Sequence, residues 1–247
     1  MGWFDRIFGN SPQKNIEKWG LKSIDKMAQS ADRMEALFWL NEEGSQESLL
    51  RLFRRFSFKH DKTIDDEEEK SWVYNALVEK GEDVLVPLEQ YLLETDSLSW
   101  PLRILAQVAT PQKRAQILEQ ICKQNPNEYT RDTTKKVQLL SWLGEHPSKE
   151  NIDLLVPYLS DPSEEVRFTA VHALFLQQSP DGWVNNILEL LVSKEEESRR
   201  IKLFIVEEFY KRQIPIPIEK VKQVHDILVR YAKNASFDSL GRIKLVE

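Results

Sequence analysis

The amino-acid sequence predicts an all-α fold, an α-solenoid of about six stacked helix pairs. Apolar residues recur at helical spacing, most clearly at Val166, Ala170, Ala173 and Leu174 (i, i+4, i+7, i+8), which places them on one stripe of a helix. Almost no stretch alternates apolar and polar residues with period two. The apolar residue that opens each second helix also recurs, at Val73, Leu102, Val137, Val166 and Ile201, with gaps of 29, 35, 29 and 35 residues. Four of these anchors are followed by a long polar or basic residue (Arg103, Gln138, Arg167, Lys202), and four positions past each stands a small or apolar one (Leu77, Ala106, Ser141, Ala170, Ile205). A helix pair that cannot bury its own apolar face, repeated every ~30–35 residues, stacks on its neighbours.

Composition narrows the function. The 247 residues are 41% hydrophobic and 30% charged, enough for a sizeable core. Only 8 are Gly, which disfavours the Gly-rich turns of all-β folds and the phosphate loops of Rossmann-like sheets. A net charge of −6 opposes a duplex-DNA binder held by phosphate neutralisation, so no nucleic-acid partner is expected. Cys122 is the one cysteine; it excludes an intramolecular disulfide and leaves no thiol zinc cluster. No apolar run approaches the ~18 residues of a spanning helix, and no basic segment followed by an apolar core marks a secretory signal. A cytoplasmic monomer is the expectation.

Along the chain, residues 1–12 form a short amphipathic segment. Trp3, Phe4, Ile7 and Phe8 fall on one side of a short helix that Asn10-Ser11-Pro12 breaks; the segment is expected to cap the first repeat or to touch a membrane interface. Residues 13–233 form the repeat domain. Within it, Arg51, Arg54, Arg55 and Lys59 read as a solvated basic face. Asp61 to Glu69, with six acids and one Lys, reads as a solvated loop or frayed helix start. Ile214-Pro215-Ile216-Pro217-Ile218 is extended, because alternate prolines forbid a helix. A last helix runs from about Glu219 to Lys233, and residues 234–247 are a cap or tail.

The clearest unit spans Asn151 to Gln178. Leu154-Leu155-Val156-Pro157-Tyr158-Leu159 is a first helix carrying a proline, Ser160-Asp161-Pro162 a tight turn, and Glu164 to Leu174 a second helix. Asp161 is placed to cap the second helix. Arg167, six residues on, is within reach of an acid of the neighbouring unit, giving a ladder that fixes stacking; Asp132 with Gln138 and Glu196 with Lys202 keep the same spacing.

This unit resembles a HEAT repeat of the short prokaryotic kind, with its internal Pro, its Asp-Pro turn and its Val-Arg-x-x-Ala-x-x-Ala-Leu second helix. Val84-Leu85-Val86-Pro87-Leu88 repeats the first-helix portion, and the resemblance covers residues 30 to 233. Tetratricopeptide repeats, with their fixed period of ~34, fit less well. The resemblance implies a right-handed superhelix whose second helices line the concave side, and a scaffold or adaptor that binds a protein partner there. Bilin lyases and base-removing DNA glycosylases are enzymatic alternatives with similar repeats. The glycosylase reading would draw on Trp100, Trp142, Trp183 and the Arg51 cluster.

Sequence signatures of catalysis are missing. No two glycines fall within six residues of each other, so neither dinucleotide nor Walker A loop exists, and no G-x-S-x-G elbow is present. His60, His146, His172 and His225 are scattered without metal-ligand spacing. No metal, cofactor or catalytic residue is therefore expected. The candidate partner-binding residues stand beside the second-helix core stripe: Phe168, His172, Phe175 and Tyr210, with Arg167 and Glu207 orienting the ligand.

Overall fold

The structure is a computed structural model that describes residues 12–230 and 235–245. Among these, thirteen α-helices and one two-stranded hairpin occur, so the chain is all-α. It divides into two compact units, one ending at Gln124 and the other beginning at Asn125. Trp3, Phe4, Ile7 and Phe8 lie outside the described residues.

The first unit contains α1 (Pro12–Ser23), α2 (Ser30–Glu43), α3 (Gln46–Arg54), α4 (Thr63–Glu79), α5 (Leu85–Glu94), α6 (Ser99–Val108) and α7 (Pro111–Gln124). Alternate helices pack side by side. The series α1, α3, α5, α7 makes one layer and α2, α4, α6 the other. Leu37, Leu40, Leu52, Val73, Leu77, Leu88 and Leu102 fill the space between them. Local chemistry sets the helix ends. Ser45 accepts a hydrogen bond from the Ser48 amide at the start of α3. Gly44, at φ 69°, closes α2 in the left-handed region that a side chain disfavours. Pro87 is tolerated because it sits in the first turn of α5, where the missing N–H has no helical partner.

Two charged segments depart from the sequence reading. The acidic block enters helix α4 from Thr63 onward, and Asp66 and Glu69 are buried in the first unit. Arg55, read as part of a solvated face, is completely buried, as is Arg33. The reason is mutual neutralisation: Glu69 takes both guanidinium groups, and Asp66 takes Arg55 and Lys70. Buried charges persist only when paired in this way. Composition alone shows a run of like charge; the partners lie 14 and 36 residues away.

The second unit contains α8 (Thr134–Glu145), α9 (Lys149–Leu155), α10 (Glu164–Phe175), α11 (Val184–Val192), α12 (Arg199–Arg212) and α13 (Ile218–Arg230), followed by β1 (Ala235–Phe237) and β2 (Ile243–Leu245). Here α8, α10 and α12 form one layer. The α9 segment, α11 and α13 form the other. Pro157 ends α9 early, and a 3₁₀ turn over Val156–Ser160 continues the first helix of that repeat. Gly144 of α8 lets α10 approach closely, since a Cβ there would lie 2.9 Å from Ala173 Cα.

The extended Ile-Pro segment behaves as its sequence demands. Ile214 and Ile216 are buried while Pro215 and Pro217 face outward, and α13 begins at Ile218. The described tail residues form a hairpin. Phe237 pairs with Ile243 in an antiparallel hairpin, whose strands pack on α13 and α12. Ile243 is fully buried, and the Ile216 amide donates to the Gly241 carbonyl at 3.1 Å. Asp238 fixes the hairpin turn. The Arg242 amide and guanidinium hold its carboxyl at about 2.

Candidate partner-binding surface

The helix layer of α8, α10 and α12 carries the residues singled out from the sequence. The outward side of α10 presents Glu165, Phe168, Thr169, His172 and Leu176 at spacings of three and four. Phe168 is half-buried, with its ring centroid 5.2 Å from that of Phe204 on α12. His172 is exposed and lies 5.7 Å from the same Phe204 ring. The Arg200 guanidinium stands 3.6 Å above the Phe168 ring, a cation–π geometry. Leu176 extends the patch one turn further and is 40% exposed.

Phe175 does not belong to this surface. It is 2% exposed and meets Trp183 edge-on at 4.9 Å, with Phe204 and Phe209 at 5.8 and 6.1 Å. Three aromatic neighbours place it in the core between the two helix layers. Counting positions along the helix put it one turn beyond His172, but the Trp183, Phe204 and Phe209 rings close over it there.

Arg167 is likewise committed elsewhere. Its Nε donates to Glu196 Oε2 at 2.7 Å and its Nη2 to Oε1 at 3.1 Å. Its Nη1 reaches the carbonyls of Asp161 and Pro162. The hydrogen bond to Glu196 raises the guanidinium pKa against the opposing effect of burial. All three donor nitrogens therefore serve packing, and the residue joins α10 to the segment that starts α12. Glu207 is exposed on α12 and pairs with Lys211 at 3.0 Å; its spacing from Arg200 and Phe204 keeps it on their side of the helix. Tyr210 is half-buried further along α12. Phe168, His172 and Phe175 of the candidates thus surround one ring, that of Phe204, with Phe175 meeting it from the buried side.

The acid–base ladder exists with altered partners. Lys136 Nζ meets Asp161 Oδ2 at 2.7 Å with both side chains buried, so Lys136 holds that acid. Asp161 Oδ1 also accepts from the Ser163 amide, at 2.9 Å, just before α10. Arg167 and Glu196 form the next rung. In the rung after that, Lys202 donates to the Ser193 carbonyl at 2.8 Å.

The first unit has an aromatic surface of its own on α2, α4 and α6. Phe38, 49% exposed, meets Trp72 edge-on at 4.5 Å. Arg103 stacks on Trp100 at 4.5 Å and on Tyr74 at 4.9 Å. Sequence reasoning missed Phe204, Arg200, Phe38 and Trp72. Phe204 stands three positions before Glu207 and Arg200 four before Phe204, which was the available signal on α12; α2 and α4 held no candidate to point to Phe38 and Trp72. Trp142 and Trp183, weighed for a base-binding groove, are buried, and His146 stacks on Trp142 at the end of α8, with ring centroids 4.0 Å apart.

No group of three or more His, Cys, Asp or Glu is arranged to hold a metal ion among the described residues. No helix among them is long and apolar enough to cross a membrane. No protein-family model matches the chain, and no curated protein and no solved structure matches it either.

Proposed function

We propose that the chain is a non-enzymatic scaffold or adaptor, a HEAT-like α-solenoid that binds a protein partner through the concave side formed by its second helices. The reading rests first on packing: in each unit alternate helices lie side by side in two layers, the arrangement a solenoid needs. The observation that carries it is the half-exposed Phe168–Phe204 pair, flanked by exposed His172 and Leu176 and covered by Arg200. Aromatic and Arg side chains that are only partly desolvated gain most when a partner seals them, which is the chemistry of interface hot spots.

The test is affinity capture with the full chain from a lysate of the source cells, comparing it with the Phe168→Ala/Phe204→Ala variant at matched concentration. Captured partner is expected to drop more than tenfold. Each substitution is expected to lower stability by less than about 2 kcal/mol, below the ~3–5 kcal/mol of a fully buried Phe truncation. Unchanged capture, or a loss at the buried-Phe level, overturns the assignment of this surface. Turnover of a bilin or of alkylated DNA by the purified protein overturns the non-enzymatic reading.

A further inference from the structure

The aromatic surface of the first unit is surrounded by uncompensated negative charge. Helices α2 and α4 carry ten acidic residues and two basic ones, Arg33 and Lys70. Both basic residues are buried with Asp66 and Glu69 in the ion-pair cluster of this unit. The other eight acids are exposed or half-buried, and neither helix offers them a cation. Asp32 and Glu35 are met by Lys22. Glu42, Glu68 and Glu79 form no ion pair among the described residues. Lys62, just before α4, and Lys80, just after it, stand at the margins. Arg103, on α6, covers Trp100 and Tyr74.

Spacing brings three of these carboxylates to the Phe38–Trp72 pair. Glu42 follows Phe38 by four positions; Glu68 precedes Trp72 by four and Glu79 follows it by seven. Each acid therefore shares the side of its helix that carries the ring. Phe38 is 49% exposed and the rings meet edge-on at 4.5 Å, so the patch has an uncovered apolar centre and an acidic rim. A second copy seated here by twofold symmetry would set each carboxylate against its own equivalent, a like-charge arrangement that costs affinity. Anionic lipid and nucleic acid meet the same repulsion. A segment with large apolar side chains on one face and Lys or Arg beside them is complementary in both respects: its apolar face covers the two rings, and the long basic side chains reach the carboxylates. We propose that the α2–α4 face docks a basic amphipathic segment of a protein partner. This site extends the adaptor reading, on which it rests, to the first unit and is separate from the Phe168–Phe204 surface.

The experiment is a fluorescence-anisotropy titration of the full chain into a labelled peptide of leucine and lysine in helical order. Two control peptides carry glutamate in place of lysine or serine in place of leucine. Only the leucine–lysine peptide is expected to bind, and more weakly as salt rises from about 0.1 to 1 M. Glu42→Gln/Glu68→Gln/Glu79→Gln is expected to weaken binding about tenfold, roughly twofold for each carboxylate. The same charge removed from the second unit, by Asp153→Asn/Asp181→Asn/Glu219→Gln, is expected to change it less than about twofold, because salt screens distant charges. Phe38→Ala is expected to weaken it at least about tenfold. All variants are compared with the unsubstituted chain at equal helicity by circular dichroism. No binding of the leucine–lysine peptide, equal binding of either control, or equal losses in the two charge variants overturns the proposal. So does a concentration-dependent dimer that Phe38→Ala abolishes, which would assign the face to a second copy. The Phe168→Ala/Phe204→Ala variant is expected to bind the peptide as the parent does, so failure of that surface in affinity capture and failure here are read separately; loss of the peptide in that variant overturns the proposal.

Discussion

Glu69→Ala tests whether buried charge holds the first unit together. Glu69 accepts from Arg33 Nη2 at 2.8 Å, Arg55 Nε at 2.9 Å and the Ser30 hydroxyl at 2.9 Å. Its side chain is 1% exposed, and those of Arg33 and Arg55 are 1% and 0% exposed. Removing the carboxylate leaves Arg33 with only the Ala28 carbonyl at 2.5 Å, and Arg55 with Asp66 and the Phe58 carbonyl. A buried ion pair broken from one side costs about 3–5 kcal/mol, because the surviving charge stays desolvated. Glu69→Gln keeps an acceptor oxygen and is expected to cost less than Glu69→Ala. The assay is urea unfolding followed by circular dichroism and Trp fluorescence, comparing midpoints at unchanged slope. A Glu69→Ala loss below about 1 kcal/mol, the scale of exposed pairs, would refute the reasoning. The pH dependence has a definite sign. Burial alone pushes the Glu69 and Asp66 carboxyls up, but hydrogen bonds from Arg33 to Glu69 and from Lys70 and Arg55 to Asp66 outweigh it and hold both below the ordinary range. Their stabilisation is therefore fully present above the unfolded carboxyl pKa of about 4, and is lost as pH falls through the lower folded values.

Three further outcomes are expected. Phe175→Ala should cost about 3–5 kcal/mol in thermal or urea unfolding, because its ring is packed among Trp183, Phe204 and Phe209; a loss under about 1 kcal/mol would return Phe175 to the surface. Gly144→Val should cost at least about 1–3 kcal/mol by overpacking against Ala173. Gly20→Ala should cost less, because the atom in its way is the flexible Arg51 side chain; equal losses would show that α8 and α10 are not locked at this contact. A double-mutant cycle of Lys136→Met and Asp161→Asn, read by urea unfolding, should give a coupling of about 0.5–3 kcal/mol, and a value near zero would remove that rung from the ladder.

What the sequence made legible was what repeats locally. Anchors Leu102, Val166 and Ile201 fall near the starts of α6, α10 and α12 and are buried, because helical periodicity depends on residues within two turns. Val73 is also buried but stands well inside α4: the acids before it extend the helix instead of fraying, and that outcome depends on Arg33 and Arg55 from other helices. The candidate surface was half legible for the same reason. Phe168 and His172 sit on a face readable from α10 alone, whereas the ring that unites them, Phe204, comes from α12. Phe175 was misplaced because a helix wheel cannot say how deep the neighbouring layer reaches, and here Trp183 reaches it.

The buried pairs also explain how register is chosen in a fold made of interchangeable apolar stripes. Leu, Ile and Val on facing helices stay in contact if one helix slides a turn, so apolar packing discriminates weakly between neighbouring registers. A one-turn slip of α10 past α12 would carry Arg167 about 5 Å along the axis, away from Glu196, whose side chain is 1% exposed. The same slip between α8 and α10 would separate Lys136 from Asp161, and between α2 and α4 it would strand Arg33 from Glu69. Each wrong register leaves an unpaired buried charge worth several kcal/mol, while the right one returns little net stability over apolar residues of the same size. The pairs are thus expected to act chiefly by excluding alternatives. Replacing Lys136 and Asp161 together by Met and Leu should leave the midpoint of unfolding within about 1–2 kcal/mol of the parent. The same double variant should broaden the amide resonances of α8 and α10 and narrow their dispersion in nitrogen–proton spectra. A sharp, parent-like spectrum in that variant would show that apolar packing alone sets the register.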